Sequence, residues 1–141
     1  MGRSRVERQK DAIENMKELL AELEYLVDAV IVEGMRDMEA LRALGYKGKI
    51  VQCSRPSVSD VELCDMVAEK FSSVLILTDY DAEGRRINRH FMQLLDRKDV
   101  KVEEGLRRQF GRIIASIGIY AIEDLDNSAV RVEDIKSLSP S

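Results

Sequence analysis

Three carboxylates in two short segments carry the chemistry this chain could do. Glu33 ends the apolar run Val30-Ile31-Val32 and is followed by Gly34 and, a few residues on, by Asp37. Asp79 and Asp81 end a second run, Val74-Leu75-Ile76-Leu77-Thr78, and are followed by Glu83 and Gly84. Carboxylate oxygens are hard ligands, better suited to magnesium or manganese than to zinc. Converging acids repel one another and raise their own pKa values, and a bound cation relieves the repulsion. Glu33, Asp79 and Asp81 are therefore the candidate metal ligands. Gly34 and Gly84 permit close backbone approach. A helix opening near Gly84 would offer free N–H groups and a positive dipole end to an anion. Arg85, Arg86 and Arg89 follow at once, and Arg85 and Arg89 are the candidates for gripping phosphate oxygens.

Some neighbours have quieter readings. Asp37 falls in the first turn of a helix, where a negative charge is favourable in any case, and it supports the site either as a cap or by orienting it. Glu83 reads as a first-turn acid. Thr78 either braces the loop or finishes a strand. Arg107, Arg108 and Arg112 read as a solvated face, and His90 as a semi-exposed helix residue.

The elements that must position these groups alternate between strand and helix. Residues 4 to 27 predict one amphipathic helix, capped at Ser4 and Glu7, with Ile13, Met16, Leu20, Leu23 and Val27 on one stripe. The stripe must bury, either on the following domain or on a second copy as a dimer seam. Ala29 to Val32 is β-branched without alternation, as in a strand covered on both faces. A short helix from Asp37 to Leu44 ends at Gly45, and Ile50 to Cys53 is the second strand. Asp60 caps a helix reaching Phe71 that turns Val61, Cys64, Met66, Val67 and Phe71 inward. Val74 to Leu77, a helix to Leu95 and a short strand from Val100 to Val102 follow. Leu106 to Ile114 looks helical, Tyr120 to Ile122 looks like an edge strand, and Val132 to Leu138 like a last helix. Strands joined by helices imply a parallel sheet, with ligands just beyond the strands' carboxyl ends.

Composition sets bounds. The 141 residues fit one domain, and 45% hydrophobic with 34% charged residues is a globular balance. No apolar run nears the ~20 residues needed to span a bilayer. Met1-Gly2-Arg3-Ser4 opens no signal segment, and Val6 breaks the myristoylation pattern, so a soluble, cytoplasmic protein is expected. Cys53 and Cys64 read as small apolar fillers. The formal net charge of −4 argues against indiscriminate coating of nucleic acid but allows a local basic face.

Taken together and in this order, Val32-Glu33-Gly34-Met35-Arg36-Asp37 and Thr78-Asp79-Tyr80-Asp81-Ala82-Glu83-Gly84 closely resemble the Toprim signature, a Glu-Gly-x-x-Asp motif and an Asp-x-Asp-x-x-Gly motif. The resemblance covers roughly residues 26 to 105. It implies a Rossmann-like, four-stranded, mainly parallel sheet with flanking helices, to which this chain adds the N-terminal helix. It implies that Asp79 and Asp81 bind magnesium and that Glu33 is a general acid or base or a further ligand. Toprim domains occur in topoisomerases, bacterial-type primases, recombination mediators, OLD-family nucleases and ribonuclease M5. No separate tyrosine-bearing cleavage domain, zinc module or Walker loop is seen here, so the layout is nearest to ribonuclease M5. The segment Ala121-Ile122-Glu123-Asp124-Leu125 resembles a glutamate-containing stretch after that enzyme's core.

The expected architecture is thus an α/β Toprim fold, with the N-terminal helix over 4-27, the Toprim domain over 28-105 and a helical or irregular extension over 106-141. The expected function is magnesium-dependent processing of phosphodiester bonds in structured nucleic acid, nuclease-like, RNA ahead of DNA, with one or two Mg2+ ions and Mn2+ as a substitute. The other reading is a non-catalytic Toprim module of a nucleic-acid maintenance complex, with a protein partner or a homodimer through the N-terminal helix. A haloacid-dehalogenase-like phosphatase would share Asp79-Tyr80-Asp81, but its motif belongs after the first strand and would leave Glu33-Gly34 unexplained.

Overall fold

The computed structural model describes residues 4–119 and 121–124. Its elements, in chain order, are α1 (Arg5–Leu26), β1 (Ala29–Val32), α2 (Met35–Ala43), β2 (Lys49–Gln52), α3 (Asp60–Lys70), β3 (Ser73–Ile76), α4 (Ala82–Asp96), β4 (Lys101–Val102) and α5 (Glu104–Ile117). The strands form one four-stranded sheet in the order β2-β1-β3-β4, and every pairing is parallel. The strand order reverses between β1 and β3, with Ile31 opposite Ile76. That switch point is where a parallel sheet leaves a crevice for ligands.

All of β1 is buried, as its unalternated sequence requires. Successive strand residues feed opposite layers. Val30, Val32, Leu75 and Leu77 join the layer of α1, α2 and α5. Ala29, Ile31, Val74 and Ile76 join that of α3 and α4. The predicted α1 stripe lies in the first layer, where Met16, Leu20 and Leu23 are all but completely buried beside Phe110 and Ile114 of α5. The stripe is thus buried against α5 and the sheet of the same chain, the first of the two expectations. The Ser4 side chain accepts from the Glu7 N–H at 3.1 Å, the cap expected there, and Gly45 takes a left-handed φ of 99° after α2.

Several local expectations are corrected. Ser59, not Asp60, caps α3, accepting from the Glu62 N–H at 3.1 Å. Leu63, Cys64 and Val67 are the buried residues of α3, while Val61 and Met66 are exposed. Cys64 and Val67 turn inward as expected, but Leu63 takes the place of Val61 and Met66 because this eleven-residue helix carries apolar residues on more than one side. Helix α5 extends past both expected ends. Ala121 and Ile122 form no strand; Tyr120 and the expected helix from Val132 to Leu138 lie outside the described residues. Cys53 and Cys64 are free thiols, pushed up to about 12 and about 11, chiefly by burial.

Candidate metal centre

The end of β1 and the end of β3 bring Glu33 and Asp79 together. The Asp79 N–H donates to Glu33 Oε1 at 3.1 Å, tying the two motifs across the switch point. Asp37, in the first turn of α2, is buried and accepts from the Gly34 N–H at 3.0 Å. It is therefore a cap, and its charge also reaches Glu33 and Asp79. Asp81 is the N-cap of α4, with Oδ1 accepting from the Gly84 N–H at 2.7 Å. Thr78 is fully buried and its hydroxyl donates to the Gly84 carbonyl at 2.6 Å, so it braces the loop. Gly84 is required by close approach: a Cβ there would lie 2.0 Å from the Asp79 carbonyl oxygen.

The electrostatics are those of crowded acids. Burial raises the Glu33 pKa above the ordinary carboxylate value. The Asp79 N–H opposes this, and the charges of Asp79, Asp37 and Asp81 add to it. Asp79 is raised by burial, against a hydrogen bond from Ile122, and further by Asp81, Glu123 and Asp124. Asp37 is raised by burial, against the Gly34 N–H, and by Asp79 and Glu123.

Two contributors escaped the sequence reading. The turn after α5 closes over the site, its Ile122 N–H donating to Asp79 Oδ1 at 2.9 Å and the Glu123 main chain to Asp37. Only the sequence Ala121 to Asp124, already singled out above, hinted at it. The second is Arg107, expected to be solvated and in fact buried. Its Nη1 donates to the carbonyls of Ile76 and Thr78 at 3.1 and 2.9 Å, and its Nη2 to that of Asp79 at 3.1 Å. The guanidinium lies 4.3 Å from the Tyr80 ring centroid, and the Tyr80 hydroxyl donates to the Arg107 carbonyl at 2.7 Å. A fixed cation thus sits directly under the acidic turn.

The donor set suits a hard cation. One oxygen each of Glu33, Asp79 and Asp81 is held by a main-chain N–H; the other oxygen of each remains for a ligand. Among the described residues no group of three or more His, Cys, Asp or Glu side chains stands in ligating geometry. A cation here would therefore take few protein oxygens and fill its remaining positions with water or substrate, which is the habit of magnesium.

Arg85 and Arg89 lie on the α4 wall of a groove that begins at Tyr80. Arg86 does not join them, pairing instead with Glu83 at 2.7 Å on an exposed face. His90 is half exposed, with Nε2 2.9 Å from Asp60 Oδ2.

The sheet order, the switch-point crevice and the acidic turn define a Toprim domain, and the family model for that domain matches residues 28–119. The chain belongs to the Toprim family. It is similar to UPF0292 proteins of archaea: 37% identical to that of Thermococcus onnurineus over 77% of this chain and 79% of the relative, and 36% identical to that of Pyrococcus horikoshii over 85% and 90%. A solved structure of a protein from Aquifex aeolicus shares the fold with a TM-score of 0.60 and 24% identity, over 82% of this chain and 95% of that one. Family membership supports a metal-binding, nucleic-acid-related role, the usual metal being magnesium. Among the described residues no helix is long and apolar enough to cross a membrane.

Proposed function

We propose that this Toprim protein is a magnesium-dependent enzyme that cleaves phosphodiester bonds in structured nucleic acid, with RNA to be tested ahead of DNA by analogy of layout. The observation that carries the reading is the meeting of Glu33 with Asp79 across the switch point, where burial, and then neighbouring carboxylates, raise both pKa values. Asp79 and Asp81 would hold the magnesium, with manganese as a substitute. Magnesium supplies, when bound, charge neutralisation for the attacked phosphate. Glu33, whose pKa burial raises above the ordinary carboxylate value and which accepts from the Asp79 N–H beside the proposed metal, would act as the general acid or base. In hydrolysis a water oxygen forms the new bond to phosphorus and the bond from phosphorus to the leaving oxygen breaks. Glu33 either takes the proton from the water or gives one to the leaving oxygen. Arg85 and Arg89 orient the phosphate backbone.

The test is cleavage of structured RNA and DNA panels, with magnesium or manganese, by the wild type and by Asp79→Ala, Asp81→Ala. Metal-dependent cutting by the wild type that falls at least a hundredfold in the variant is the expected outcome. Equal cutting by both proteins would sink the assigned site.

A second reading, a non-catalytic module in a nucleic-acid maintenance complex, is favoured by one observation. The carboxylates of Asp37, Asp79 and Asp81 each accept a main-chain N–H and so also act as structural caps. Folded wild type that cuts nothing across metals and polymers would move weight to it.

A further inference from the structure

Beyond the acidic turn, α4 and α5 flank an open groove of about 810 Å³. Five arginines line it, Arg85 and Arg89 from α4 and Arg107, Arg108 and Arg112 from α5, against the single carboxylate of Glu104. That is a local excess of four positive charges in a chain whose formal net charge is −4. Arg107 is committed to the carbonyls under the acidic turn. The other four make no ion pair with a carboxylate among the described residues, whereas Arg86 and His90, elsewhere on α4, are both paired. Arginines facing one another across a groove without acidic partners repel, and an anion between them removes the repulsion.

The floor selects the form of that chain. It is made by Tyr80, Ala115 and Ile119, with the almost wholly buried Ile114 at its edge, and Gly111 leaves it open. A Cβ at Gly111 would come 2.8 Å from the Tyr80 ring, so only glycine lets the ring lie this close to α5. A double helix could place its phosphates on the arginines, but its base faces are hidden in the stack and the apolar floor would stay wet. An unpaired strand satisfies both surfaces, with phosphates on the guanidinium groups and a splayed base against the floor. Tyr80 stands between Asp79 and Asp81, so a strand lying in the groove leads directly to the acidic turn.

We propose that the α4–α5 groove binds an unpaired stretch of nucleic acid, its phosphates held by Arg85, Arg89, Arg108 and Arg112 and a base resting on the floor of Tyr80, Ala115 and Ile119. The assignment rests on the nucleic-acid reading above and narrows its substrate to single-stranded ends, loops or bulges.

The test is fluorescence anisotropy with labelled single-stranded RNA and DNA and with duplexes of the same length, in EDTA so that no cleavage consumes the probe. The wild type, Arg108→Glu with Arg112→Glu, Ile119→Ser and the control Arg86→Glu are compared, each checked by thermal melting. The wild type is expected to bind the single strand at least tenfold more tightly than the duplex. The double charge reversal is expected to lose tenfold or more and to lower the salt slope by about two. Ile119→Ser should weaken the single strand and leave the duplex unchanged, and Arg86→Glu should bind within twofold of the wild type. Equal affinity for duplex and single strand, unchanged binding by the charge reversal, or no binding by folded wild type would each overturn the proposal. The two readings fail separately. Strand binding lost in the charge reversal, with no cleavage by the wild type, sinks catalysis and keeps the groove. Cleavage by the wild type with unchanged binding in the charge reversal does the opposite.

Discussion

Arg107 is the residue on which the acidic turn rests. Its guanidinium supplies three hydrogen bonds to the carbonyls of Ile76, Thr78 and Asp79, at and just beyond the end of β3. Burial lowers its pKa, and Tyr80, Asp79 and Glu33 act in the other direction; arginine keeps its proton in either case. Removing it leaves buried carbonyls without donors beneath a cluster of acids. Arg107→Ala is expected to lose about 3 kcal/mol of stability, measured by chemical denaturation. Arg107→Lys should recover less than half, because a point ammonium cannot reach carbonyls that the planar fork spans. A stability within ~0.5 kcal/mol of wild type for Arg107→Ala, the range of ordinary surface changes, would show that the contacts carry no weight. This role had no signature in the sequence. A guanidinium pairing with carbonyls distant along the chain follows no period, and in the run Leu106-Arg107-Arg108 it looks like any charge on a solvated face. The acids were legible for the opposite reason. Each stands at the end of an apolar run beside a glycine, a pattern local enough to read in one dimension.

At the scale of elements, the first turn of α4 and the acidic turn are built as one piece. Asp81 caps the helix, Thr78 donates to the Gly84 carbonyl, and the Gly84 Cα packs against the Asp79 main chain. On an open helix Gly→Ala stabilises by up to ~1 kcal/mol. Here the new methyl would meet Asp79 main-chain atoms at 2.0, 2.5 and 2.8 Å, and backbone cannot step aside as a flexible side chain does. Gly84→Ala is therefore expected to destabilise by about 2 kcal/mol and to weaken manganese binding, read by electron paramagnetic resonance. A stabilised variant would mean that the turn and the helix move independently. The strands and the start of α4 were readable because β-branched runs and a glycine after acids are local signals, whereas α2 begins at Met35, two residues before the expected Asp37. The inward face of α3 and the turn at Ala121 to Asp124 were not readable. The first depends on whether Leu63 or its neighbours Val61 and Met66 join Cys64 and Val67 against the sheet, and the second on contacts to Asp37 and Asp79 far back in the chain.

At the scale of the whole molecule, α1 is what completes the core. The sheet and α5 present Leu75, Leu77, Phe110 and Ile114 on one layer, and Met16, Leu20 and Leu23 cover them. Gln9 Nε2 also donates to the Ile117 carbonyl at 3.3 Å, fastening the start of α1 to the end of α5. The alternative expectation, a stripe shared with a second copy, makes a different demand on stability. A seam between chains strengthens as protein concentration rises, whereas a contact within one chain does not. Leu23→Ala is expected to cost about 3 kcal/mol, the usual range for a fully buried leucine, and to do so equally at every concentration. Denaturant titrations at protein concentrations a hundredfold apart decide the matter. A deficit that shrinks with concentration would put the stripe between two copies. A constant deficit keeps α1 inside the chain, where its loss also loosens α5, which carries Arg107 beneath the acids and Arg108 and Arg112 along the groove.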